Sequence, residues 1–207
     1  MNKRLVAVAA LAFLTASAFI AGCGGPFVRQ DFEGVYKPRI KKVAILPFKN
    51  ITTNKEAEAA DIALREGIYS ELKRKDYEYT VVIQEIAETD KIYSQAGINP
   101  LDPSQMQTRK MTNREIGELL GVDAVMQGTL IKYHEKGKTG QWVTLLLFGS
   151  ATGAEVITRV GITDCNSSTL LWDWEVQAKG GFLTSPESVA NNVGRSIAKK
   201  WPFKKKK

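Results

Sequence analysis

The chain has 207 residues, 43% of them apolar and 25% charged, an ordinary globular make-up whose length suits one domain with a real core. Its formal charge is +7, and it holds only two cysteines, Cys23 and Cys165, which excludes a disulfide scaffold.

Residues 1–22 read as a leader. Met1-Asn2-Lys3-Arg4 supplies two positive charges, residues 5–20 are almost unbroken apolar sequence, and Ile20-Ala21-Gly22-Cys23 ends with small residues before a cysteine. These are the three parts of a secretory signal peptide. A membrane-spanning helix needs about 20 apolar residues, and this run is shorter and broken by Thr15 and Ser17. An ordinary leader would end in a small-x-small site, which Ala18-Phe19-Ile20 does not make. The ending resembles the lipobox of bacterial lipoproteins. That resemblance implies lipid attachment at Cys23, with a diacylglycerol thioether on its thiol and an acyl group on the new amino terminus. Three chains make a firm anchor, since two lipid signals already do. It also implies an outer-membrane address facing the periplasm, because Gly24 and Gly25 follow the cysteine in place of Asp. Nucleic acid is then excluded as a partner by compartment. Cys165 is left without an internal partner and is expected to be buried where a strand runs into a turn.

Residues 23–39, from the lipidated cysteine through GGPFVRQDFEGVYKPR, are rich in Gly, Pro and charge and show no sustained period, so they read as a flexible tether. At about 5–6 Å × √n such a stretch would hold the fold roughly 20–25 Å from the bilayer. The folded part is then 40–201. Val43-Ala44-Ile45-Leu46, stopped by Pro47, predicts a central strand covered on both faces. Thr53-Asn54-Lys55-Glu56 has capping-box spacing, and Ala60, Leu64, Ile68 and Leu72 recur every four residues, which predicts a helix ending near Arg74-Lys75. The run YEYTVVI at 77–83 predicts a second strand, and 85–95 a helix with Gly97 in the C′ position. Asn99-Pro100-Leu101-Asp102-Pro103 reads as a loop. Thr112-Asn113-Arg114-Glu115 repeats the capping spacing before a short helix closed by Gly121, and 122–133 gives a third strand.

The second half differs. Residues 134–140 are polar and Gly-rich, a predicted loop, and an apolar run WVTLLLF starts at Trp142. The alternating runs 156–164 and 170–176 flank Cys165-Asn166-Ser167-Ser168-Thr169 and predict a β-hairpin. Ser185-Pro186 starts a last helix, with Val189, Val193, Ile197 and Trp201 four residues apart and Pro202 ending it. The fold class is α/β: a single domain whose mixed β-sheet is parallel in its first half, carries an antiparallel hairpin in its second, and has helices packed on it. Residues 202–207 form a basic tail, by default a solvated frayed end; a functional reading sets its lysines against anionic lipid headgroups or cell-wall polymer.

The strand VAILPFKN, the Leu-x-x-x-Ile-x-x-x-Leu helix, the stretch from Leu120 to Leu130 and the Ile-Thr-Asp…Leu-Leu-Trp hairpin occur in an order that resembles one superfamily. It includes the curli-secretion channel lipoprotein, the lipoprotein activator of penicillin-binding proteins and the TolB amino-terminal domain. Within it the chain is most similar to bacterial lipoproteins of unknown function related to a neisserial surface antigen. The resemblance implies a non-catalytic envelope lipoprotein that engages other envelope proteins, frequently as a homo-oligomer. The alternative it implies is a subunit of an oligomeric secretion pore of the curli-channel type.

The residues themselves offer little chemistry. Gly137-Lys138-Thr139 ends like a phosphate-binding loop, but the first glycine that motif needs is Lys132 and no helix follows. His134 is the only histidine, with no spaced partner for a metal or a triad. Asp102, Asp123, Asp164 and Asp173 read as solvated turn residues. The expectation is therefore no catalytic site, no metal, no cofactor and no small-molecule substrate.

Overall fold

The computed structural model describes residues 25–52, 60–74, 76–100, 111–134, 155–179 and 186–205. The leader with Cys23, the capping residues at Thr53, Asp102, the Gly137-Lys138-Thr139 sequence and the run from Trp142 lie outside the described residues.

Seven strands are described: β1 (Phe27–Val28), β2 (Lys42–Ile45), β3 (Lys49–Asn50), β4 (Val82–Ile83), β5 (Ala124–His134), β6 (Glu155–Asp164) and β7 (Leu170–Lys179). The helices are α1 (Ala60–Lys73), α2 (Ile86–Gln95), α3 (Asn113–Leu120) and α4 (Pro186–Lys200), with a π-helical turn at Phe32–Tyr36. All strands join one mixed sheet in the order β1-β7-β6-β5-β2-β4, with β3 pairing the second half of β5. Pairing is parallel among β2, β3, β4 and β5 and antiparallel among β5, β6, β7 and β1. This is the expected α/β architecture.

The continuous apolar run 43–46 does what its composition demands. Val43 and Ile45 enter one core and Ala44 and Leu46 the other, so β2 is covered on both faces. Pro47 has no N–H to give the ladder, and Phe48 folds over Gly128, where a Cβ would lie 2.2 Å from its ring.

On the first face lie α1 and α4. The stripes Ala60, Leu64, Ile68, Leu72 and Val189, Val193, Ile197, Trp201 are all buried. The two helices meet backbone to backbone: a Cβ on Gly194 would stand 2.4 Å from the Gly67 carbonyl oxygen. On the second face lie α2 and α3. Thr112 caps α3 reciprocally, its Oγ1 accepting from the Glu115 N–H at 3.2 Å while Glu115 Oε2 accepts from the Thr112 N–H at 2.7 Å. Gly121 closes that helix with φ 64°. Gly97 follows α2 in the left-handed conformation, with the Ile98 N–H reaching the Tyr93 carbonyl.

Three expectations are corrected. Residues 25–39 are not a free tether: Phe27 and Val28 pair with Asp173 and Trp172, and Phe32 is 1% exposed. Nor is the basic tail frayed as far as Lys205. Phe203 is fully buried against Phe32 with ring centroids 5.1 Å apart, and the Thr80 N–H donates to its carbonyl. The strand expected over 77–83 is only Val82–Ile83, because Tyr77 and Tyr79 pack into the same aromatic cluster as Trp201 instead of continuing the ladder. His134, expected in a loop or at a strand end, is the last residue of β5, its backbone opposite Glu155.

Candidate interaction surface

Three of the four aspartates singled out in the sequence are described, and each is built into the fold and not left solvated in a turn. Asp123 Oδ2 accepts the backbone N–H groups of Lys41 and Lys42 at 2.7 and 2.9 Å, fastening the entry of β2 to that of β5. Asp164 is 1% exposed; Oδ2 accepts from the Ser167 N–H and hydroxyl, and Oδ1 pairs with Arg39 at 2.7 Å. Asp173 meets Arg159 in a bidentate pair, with Nε and Nη2 contacts of 3.0 and 2.7 Å. Cys165 is buried, as expected, against Gly117. Its thiol is pushed up to about 12, by burial first and then by Asp164 and Asp123 nearby. At neutral pH it is a small apolar packing group.

Among the described residues no group of three or more His, Cys, Asp or Glu side chains could hold a metal ion. Among the described residues a hollow of about 220 Å³ lies beside α3 between Gly117, Gly121 and Cys165, and another of about 90 Å³ lies between α1 and α2 at the end of β2, lined by Phe48, Ile62 and Ile86. Sites for drug-sized ligands span about 300–1,000 Å³, so both are small. The second borders Arg65, which is 5% exposed, donates to the Ile45 carbonyl at 3.0 Å and pairs with Asp90 at 2.8 Å, tying α1 and α2 to the end of β2.

A different kind of surface is laid out on β5, β6 and β7. The residues of β6 and β7 alternate: Val156, Thr158, Val160 and Ile162, with Trp172, Val176 and Ala178, are buried beneath α4 and its surroundings. The intervening residues point the other way, where no described helix covers them. The strand register sets them in rows: Gln127, Gly161 and Asp173; Thr129, Arg159 and Glu175; Lys132, Ile157 and Gln177. Glu155 ends the platform, accepting from Lys132 Nζ and Gln177 Nε2, both at 2.5 Å. Those donors hold its carboxyl below the usual carboxylate range, and the Asp173 carboxylate raises Arg159 above its ordinary value. The result is an array of charges paired within the sheet. The pairing of His134 with Glu155 marks this platform's far end. The alternation in the sequence is the signal that marks this face; it was legible as a hairpin but not as an uncovered surface.

No family model and no curated protein sequence matches the chain. Solved structures do. The lipoprotein GNA1162 from Neisseria meningitidis is similar at 12% identity, over 77% of this chain and 94% of that one, with a TM-score of 0.52. The PelC dodecamer from Paraburkholderia phytofirmans is similar at 13% identity over 78% and 87%, TM-score 0.45. The LpoB C-terminal domain from Escherichia coli is similar at 9% identity over 68% and 83%, TM-score 0.40. The first likeness shows that the chain shares the fold of the neisserial lipoprotein, the kind of relative the sequence pointed to. Among the described residues no helix is long and apolar enough to cross a membrane.

Proposed function

We propose that this protein is a periplasm-facing lipoprotein, anchored in the outer membrane through acyl groups on Cys23, whose α/β domain binds or assembles envelope proteins without catalysis. The observation that carries this reading is the polar platform of β5–β7, which no described helix covers. An array of charges already paired within the fold gives a partner fixed positions to match, which sets register and excludes wrong partners. Its partners are envelope proteins or further copies of this chain. The alternative, a subunit of a secretion pore, asks residues 135–154 for membrane strands of about 9–11 alternating residues, and Leu145-Leu146-Leu147-Phe148 does not alternate.

The test is photo-crosslinking in cells with the probe at Glu175 or Gln177 on the platform and, as control, at Asn191 on the outer side of α4. Adducts with an envelope protein or a second copy are expected at the first two positions and absent at the third. No adduct at Glu175 or Gln177 would remove the platform from the proposal. Channel conductance together with ring-shaped particles from the purified acylated protein would establish the pore instead.

A further inference from the structure

The segment that joins β1 to β2 and the residues after α4 converge on one end of the sheet. This is the end where β2, β4, β5 and β7 begin and β6 finishes, because Lys42 lies opposite Val82, Val43 opposite Ala124, Ala124 opposite Asp164, and Thr163 opposite Leu170. Residues 29–41 run across it: the Arg29 N–H reaches the Leu171 carbonyl, Arg39 pairs with Asp164, and the Lys41 N–H meets Asp123. The carboxyl-terminal residues arrive at the same place, Phe203 packing on Phe32 and the Lys205 N–H donating to the Glu78 carbonyl.

Three features of this end point to one occupant. Five of the eight large apolar side chains exposed among the described residues are here: Phe27, Val28, Val35, Val82 and Leu170, between 41% and 63% exposed. It is also basic. Lys41, Lys199 and Lys200 have no acidic partner among the described residues, Lys204 lies over the Tyr77 ring at 3.7 Å, and Lys206 and Lys207 follow within two residues of Lys205. Finally, Cys23 is only four residues before Phe27, and because β1 pins Phe27 to the sheet, at most about 14 Å of chain separates the two.

We infer that this end of the domain lies on the membrane, its exposed apolar side chains reaching the headgroup boundary and its lysines meeting anionic phospholipid. The inference rests on the reading that Cys23 carries lipid, and adds to it that the fold is held down on the bilayer with one fixed end facing it, and does not swing on a long tether. The β5–β7 platform rises away from that end, with His134 and Glu155 at the top. A single acylated residue would fix position alone; apolar contact and lysines spread across the sheet end fix orientation as well.

The experiment uses the full acylated protein in vesicles of phosphatidylcholine alone or with phosphatidylglycerol, carrying a nitroxide at Val35→Cys or, at the far end, at Gln177→Cys. The buried, protonated Cys165 does not compete for label at neutral pH. Expected is lipid contact at position 35 only, increased by phosphatidylglycerol and reduced by salt, with Lys199→Gln and Lys200→Gln each lowering the ratio of contacting to free label about fivefold. Labels equally in water at both positions on vesicles that float overturn the inference and leave the anchor standing. Contact at position 35 that ignores lipid charge and salt overturns the role of the lysines. Position 35 in water on vesicles yet shielded in cells assigns this end to a protein or wall partner and overturns the lipid assignment. Protein that carries no acyl mass and does not float overturns the anchoring reading itself.

Discussion

The two halves of the sheet solve the same problem differently. In the parallel half, residues 43–46 are buried in succession because α1 and α4 cover one face and α2 and α3 the other. In the antiparallel half, β6 and β7 alternate, and only one of their faces is roofed by a described helix. A parallel crossover brings its own helix to a face, whereas a hairpin brings none. Among the described residues the half without a second roof is therefore where the fold has surface to offer, and its charges are paired within the sheet.

The sharpest way to test that contrast is within β7, where neighbouring residues face opposite ways. Trp172 is fully buried and packs edge-on to Trp174 and Trp201. Trp172→Ala should cost about 3–5 kcal/mol by denaturant titration, a large fraction of the stability of a domain this size. A loss below about 1 kcal/mol would mean that the roofed face is loosely packed. Next in size is Gly194→Ala, which forces a Cβ against the Gly67 carbonyl and should separate α1 from α4 at a cost of about 1–3 kcal/mol. A neutral result would show that the two helices slide freely over the sheet.

On the face that no described helix covers, Arg159→Ala should leave the denaturation midpoint almost unchanged, since Arg159 is 60% exposed and an exposed ion pair contributes little. Its effect should instead appear in the yield of crosslinks at Glu175. If Arg159→Ala destabilised the fold as much as Trp172→Ala, the face would be part of the core and the contrast between the halves would fail.

How much of this was legible in the sequence follows from the range of each signal. The central strand, the Thr112–Glu115 capping box, Gly97 and Gly121 at helix ends, Pro186 opening α4 and both four-residue stripes are local patterns, and the sequence alone places them. The contribution of residues 25–39 and of Phe203 was not legible. Two strand residues and single aromatic anchors have no period, and their Gly, Pro and charge content matches a linker. Asp123 and Asp164 were misread for a related reason. A carboxylate near a turn looks solvated until the backbone N–H groups or the arginine that it accepts from, 82 and 125 residues away in the case of Lys41 and Arg39, are brought to it. The platform was half legible, since alternation reveals that one face is polar but not that no described helix lies over it.

The smallest expected effect concerns Cys165, at the turn where β6 ends and α3 roofs the sheet. Its folded thiol ionises near 12 and its ordinary value is 9.0. Between those values the unfolded chain has released a proton that the folded chain still holds, so the unfolded state binds fewer protons and stability falls as pH rises. Below about 9 the contribution is fully present. Tyr93 is also raised, chiefly by burial, and Tyr69 and Tyr79 are raised to about 12, so the whole protein should weaken in alkali. The part that belongs to the thiol is the difference between the wild type and Cys165→Ala. That variant should start less stable from lost packing against Gly117, then lose less than the wild type between pH 9 and 11. Parallel stability curves across that window would show that the thiolate forms inside the folded protein. The roof over this end of the sheet would then be open to water, and only the face beneath α1 and α4 would count as covered.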